Sequence, residues 1–169
     1  DLSTLAPEIA LQWHPSKNSD FTPKDVTINS HRKAWWLGPC GHEWQASIAD
    51  RNNGRGCPYC SSKKVLRGYN DLQTVNPTLA KEWHYEKNNS ITPMDITANS
   101  GQKVWWKCQE GHEWHAVVSD RNKGKGCPYC SGRYAVTGEN DLQAINPTLA
   151  KEWNYEKNNG LTPEKVMPN

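Results

Sequence analysis

Aliphatic residues are scarce in this chain: Leu, Ile and Val number 24 among 169 residues, with one Phe and two Met. That falls below the roughly one-fifth at which a chain lacks enough apolar surface to fold. Charge of one sign is lacking too, since the net formal charge is only +2, and self-repulsion therefore does not favour an unfolded state. No apolar run reaches the about 20 residues of a membrane span, and no basic-then-apolar secretion pattern opens the chain, so no membrane partner is expected. Cysteine comes in odd sets: six in all, three in each half. An odd number per half cannot close an internal disulfide framework, which points to a reducing, cytoplasmic setting.

Nine Trp and six Tyr stand in for the missing aliphatics, each burying about 150–250 Å² when enclosed. The core is still thin, and a unit this poor in Leu and Val needs a staple.

The staple lies in a repeat. The stretch from Trp35-Trp36 through Cys40, Gly41-His42-Glu43-Trp44 and Cys57-Pro58-Tyr59-Cys60 returns as Trp105-Trp106, Cys108, Gly111-His112-Glu113-Trp114 and Cys127-Pro128-Tyr129-Cys130. The period is seventy residues, without insertion, and it extends to Asp71-Leu72…Glu82-Trp83 against Asp141-Leu142…Glu152-Trp153. We divide the chain into two whole units, 1–70 and 71–140, and a third, 141–169, that carries only the helical part. Starting at Asp1 and stopping inside a repeat, the chain reads as a piece of a longer protein with further domains.

Three thiols and one imidazole per unit form a four-ligand set suited to tetrahedral zinc. The candidate ligands are Cys40, His42, Cys57 and Cys60 in the first unit and Cys108, His112, Cys127 and Cys130 in the second. Cys40 sits two residues out of register with Cys108, and a two-residue step along an extended chain keeps a side chain on one face. Both positions are therefore expected to reach the metal. Cys-Pro-Tyr-Cys is also a redox tetrapeptide, but redox sites follow a strand, whereas Gly-rich charged loops precede this one. With four protein donors no position stays open for water, which disfavours hydrolytic zinc chemistry. His14, His31, His84 and His115 lie outside the ligand sets and read as ordinary surface or half-buried residues.

Asn76-Pro77 predicts a helix over 77–86, with counterparts over 7–13 and 147–156. The Thr-Pro pairs at 22, 92 and 162 predict short helical turns. Lys103–Lys107 and 113–119 read as strands, 120–126 as a loop, and a helix is expected to begin at the last ligand pair.

The Trp-Trp, Gly-His-Glu-Trp, Gly-Cys-Pro-Tyr-Cys and Asn-Pro-x-Leu-Ala-Lys-Glu-Trp motifs together resemble a bacterial and phage family of probable zinc-ribbon domains with tandem treble-clef fingers. The resemblance implies the same eight ligands and two structural zinc ions. It also implies a small α+β fold of tandem treble-clef-like fingers, each a zinc knuckle, β-hairpin and helix, joined by short helices.

Charge is segregated along the repeat: 31–67 carries +5 and 101–133 carries +3, while the three remaining segments carry −2 each. Arg51, Arg55, Lys63, Lys64 and Arg67, with Arg121, Lys123, Lys125 and Arg133, are therefore candidates for phosphate contact. The Trp pairs offer stacking platforms as an alternative to core packing. The favoured function is a non-enzymatic module that binds nucleic acid, double-stranded DNA first. A protein-interaction array and a treble-clef metal-dependent nuclease are the competing readings.

Overall fold

The computed structural model describes residues 1–168. It resolves into two compact units, one of residues 1–75 with 93–98 and the other of residues 76–92 with 99–169. The class is small α+β, as expected, with one antiparallel two-stranded hairpin in each unit.

In the first unit α1 (Leu2–Leu5) and α2 (Pro7–Ala10) lead to a 3-10 turn at Pro23–Asp25. Strands β1 (Lys33–Leu37) and β2 (Glu43–Ser47) follow, then helix α3 (Ile48–Asn52). Trp36 opposes Trp44 in the hairpin, and Ala34 opposes Ala46. These inward positions meet Leu2, Ala6, Val26 and Ile48 in one cluster. Trp36 is fully enclosed, so a few large rings do the work that many aliphatic residues do elsewhere. Near its end the first unit holds α4 (Leu72–Val75), which Asp71 caps by accepting from Thr74 N–H at 2.9 Å.

The second unit repeats the plan with α5 (Pro77–Ala80), β3 (Lys103–Lys107), β4 (Glu113–Val117) and α6 (Val118–Asn122). It closes with α7 (Leu142–Ile145), α8 (Pro147–Ala150) and a 3-10 turn at Pro163–Lys165. Among the described residues no helix is long and apolar enough to cross a membrane.

The helices expected over 7–13, 77–86 and 147–156 each stop after four residues. In the two complete fingers the reason is tertiary. Past Lys81 the backbone straightens to run along the outer edge of β3, where Lys107 N–H donates to Glu82 O at 2.7 Å and His84 N–H to Trp105 O at 3.2 Å. Trp13 bridges Trp36 in the same way as Trp83 bridges Trp106. A side chain completes this edge: Asn18 accepts from Trp35 N–H and donates to Trp35 O, both at 2.8 Å. Asn88 does the same for Trp105. The amide thus copies a strand residue's donor and acceptor.

Helices α3 and α6 occupy stretches read from sequence as strand end and loop. The helix expected at the last ligand pair is a single turn instead: Ser61 N–H donates to Cys57 O and Ser131 N–H to Cys127 O, at 3.2 and 3.1 Å. Ser62 and Gly132 then adopt left-handed backbone, φ 55° and 67°. The next N–H groups, of Lys63 and Arg133, return to Pro58 O and Pro128 O, as at a helix C-terminus.

Candidate metal centres

Two sets of four donors converge, Cys40, His42, Cys57 and Cys60 in one unit and Cys108, His112, Cys127 and Cys130 in the other, with all donor atoms of a set within 4.8 Å of one another. All six cysteines are free thiols. Bond lengths of about 2.3 Å to sulfur and 2.0–2.1 Å to nitrogen in a tetrahedron require S···S near 3.8 Å and S···N near 3.6 Å. In the second unit His112 Nδ1 lies 3.5, 3.7 and 3.3 Å from the sulfurs of Cys108, Cys127 and Cys130, and Cys108 Sγ lies 3.7 Å from Cys130 Sγ. In the first, His42 Nδ1 is 3.5 Å from both Cys57 and Cys60 sulfurs. The donor sets fit two structural zinc ions, and each site is closed.

Crowding thiols this tightly is costly without a cation. Burial, together with the neighbouring Cys127 and Cys108, pushes the Cys130 thiol up to about 12. A divalent ion reverses that cost, because it binds the thiolate form.

The displaced cysteine reaches its site by a turn. Residues 38–41 are not extended: Gly41 N–H donates to Gly38 O at 2.9 Å, as Gly111 N–H does to Cys108 O at 3.0 Å. Cys108 opens its turn, while Cys40 stands third in its own. A Cβ placed on Gly38 would meet Cys40 Sγ at 3.0 Å. The Cys40 thiol therefore fills the space that a side chain at position 38 would take, and Gly38 has to be small.

Of the basic candidates, Arg51 and Arg121 are withdrawn from solvent, at 6% and 7% exposure. Arg51 lies between Trp36 and Trp44, 5.3 and 5.2 Å from the ring centres. It donates to Arg55 O and, at 2.6 Å, to Gln12 Oε1. Arg121 lies between Trp106 and Trp114 at 5.2 and 5.1 Å, donates to Lys125 O and pairs with Glu82. Burial lowers the pKa of both guanidiniums. The other seven candidates are exposed. Arg55 pairs with Asp50 at 3.1 Å, Lys125 with Asp120 at 3.0 Å, and Arg67 with Asp95. Of the Trp pairs, Trp36 and Trp106 belong to the core.

A histidine–glutamate pair in each unit escaped the sequence reading. His14 and His84 stand one period apart, and both are 6% exposed. Their Nε2 atoms meet Glu43 and Glu113 at 3.0 and 2.8 Å, and Lys17 and Lys87 join the same carboxylates. Lys87 first, then His84, holds Glu113 down to about 2. Glu43, held by Lys17 and His14, is lowered likewise. Each Glu directly follows a metal-ligating His, so the pair ties the knuckle to the 12–18 or 82–88 segment. The seventy-residue spacing of the two histidines was the signal available in the sequence.

A knuckle, a hairpin and two converging ligand pairs, twice over, define a tandem zinc finger of the treble-clef kind. The family described as "Probable Treble clef zinc finger domain" matches at residues 9–63 and again at 79–133, and the chain belongs to it. Among curated proteins the chain is 26% identical over 112 residues to a protein of Escherichia phage T5 named "Putative endonuclease". It is 28% identical over 112 residues to the "SPbeta prophage-derived uncharacterized protein YomD" of Bacillus subtilis strain 168. Each match takes in 66% of this chain but only 36% and 39% of the relatives' lengths.

Proposed function

We propose that the chain is a nucleic-acid-binding module whose zinc sites hold basic loops against the backbone of double-stranded DNA. The observation that carries this reading is the segregation of charge onto the two fingers, +5 over 31–67 and +3 over 101–133, with Lys63, Lys64, Lys123 and Arg133 exposed there. Among the described residues none of these four forms an ion pair with an acid, whereas Arg55, Arg67 and Lys125 do. Unpaired cations on a rigid base release counterions when they meet phosphate. The phage T5 relative is named for an activity on nucleic acid, which accords with this reading. The zinc sites add no hydrolytic step, because protein donors fill all four positions.

The proposed contact set is Arg55, Lys63, Lys64, Arg67, Lys123, Lys125 and Arg133, with Arg51 and Arg121 assigned to the core. A mobility-shift titration with duplex, single-stranded and RNA probes tests it, run at several salt concentrations with and without chelator. Duplex affinity should fall with salt at a logarithmic slope of about 0.9 per phosphate engaged and disappear with the metal. Affinity that is absent, or flat between low and moderate salt, overturns the proposal.

A further inference from the structure

One groove occurs twice in this protein, once in each unit, with the same elements and the same volume. In the first unit it has about 240 Å³ and runs beside β2, over Trp44, Ala46 and Pro58, with Arg55, Lys63 and Lys64 on its rim. In the second it has about 240 Å³ and runs beside β4, over Trp114, Ala116 and Pro128, with Lys125, Arg133 and Tyr134 at the same positions. Each pair of residues is one period apart. Asp50 and Asp120 also line the grooves, and each is engaged by its own rim cation, Arg55 or Lys125.

The groove follows the open edge of the hairpin. Trp35 and Leu37 turn their main-chain groups outward to His14, Asn18 and Gln12. In an antiparallel pair the residue opposite then turns its own groups away on the other side. That residue is Gln45, opposite Trp35, and in the second unit His115, opposite Trp105. Both line their grooves. A strand-edge N–H and unpaired cations thus face one channel, a combination of donors that suits a phosphodiester oxygen.

We propose that this groove is where each unit takes the nucleic-acid backbone, so that the chain makes two equivalent phosphate contacts at β2 and β4. The proposal rests on the nucleic-acid reading above and assigns it to a place. The half-buried Ala46 or Ala116 gives the floor an apolar part for the sugar, and Lys63 with Lys64, or Arg133, closes over the phosphate. Lys123 and Arg67 lie outside the groove lining, so their contacts fall beside the groove and not in it.

The test compares two zinc-loaded full-length variants with the same change in charge. One carries Lys63→Glu, Lys64→Glu and Arg133→Glu in the grooves. The other carries Lys24→Glu, Lys151→Glu and Lys157→Glu, at exposed positions elsewhere. Zinc content and near-ultraviolet circular dichroism confirm that both are folded. The groove variant should lose roughly tenfold or more in duplex affinity, and its salt slope should fall by about 2, one phosphate per groove. The control should keep the slope of the parent protein. Equal losses in both variants would show that only overall charge matters, and would overturn the groove while leaving nucleic-acid binding intact. No binding by the parent protein would instead remove the underlying reading, and the groove assignment with it.

Discussion

Replacing Arg121 by Met separates a structural cation from a phosphate contact, two roles that look alike in the sequence. The guanidinium sits about 5 Å from the rings of both Trp106 and Trp114, and cation–π contacts of this kind contribute about 0.5–2 kcal/mol each. It also donates to Lys125 O and pairs with Glu82, and a hydrogen bond to a charged group is worth roughly 1.5–3 kcal/mol. Met refills part of the space between the rings, and Glu82, 33% exposed, recovers water once its partner is gone. The net cost should therefore be about 2–4 kcal/mol, at the low end of what breaking a buried pair costs. Equilibrium denaturation of the zinc-loaded protein, followed by Trp fluorescence, measures it. Duplex affinity and salt slope, measured where the variant is still folded, should not change. A stability loss below about 0.5 kcal/mol, as at an ordinary surface site, or a salt slope lower by about one, would return Arg121 to the phosphate-binding set and refute the argument.

Two further outcomes follow from the site geometry. Cys40→Ser should lose zinc from the first unit, whereas Gly38→Cys combined with Cys40→Glu, which reproduces the second unit's arrangement, should retain two equivalents by elemental analysis; one equivalent in the double variant would contradict the shared turn geometry. Glu113 has a folded pKa depressed to about 2 from 4.5, so its contribution is present above the ordinary value and lost only as pH falls from 4.5 towards 2. The destabilisation caused by Glu113→Gln should accordingly persist at about pH 5 and shrink as pH falls from 4.5 towards 2, and a cost that stays the same across that acid range would place the carboxyl at its ordinary pKa.

The ligands and hairpins were legible because tetrahedral zinc demands few residue types at tight spacing and because Trp105-Trp106 carries a strand's preference on its face. The repeat made each reading count twice. Helices α3 and α6 were not legible, since five residues are too few to show a 3.6-residue period, and only Ser47, accepting from Asp50 N–H at 3.1 Å, marks a start. Trp83 gives the opposite lesson: its spacing from Leu79 suits a helix, but a strand edge claimed its backbone. Burial of Arg51 and Arg121 depends on which Trp rings the fold brings around them, and no local pattern encodes that. The His14 and His84 pairing could have been found, because both residues keep the period and so do Glu43 and Glu113.

The amides of Asn18 and Asn88 carry a meaning for solubility. A lone two-stranded ribbon has two flanks of unsatisfied main chain, and either one is a template on which neighbouring molecules can stack into fibres. Here one flank of each ribbon is sealed by a short return of its own chain and a single carboxamide, so just one remains open to a visitor. A protein assembled from many such ribbons in series avoids sticking to itself while leaving each ribbon one side on which to receive a guest.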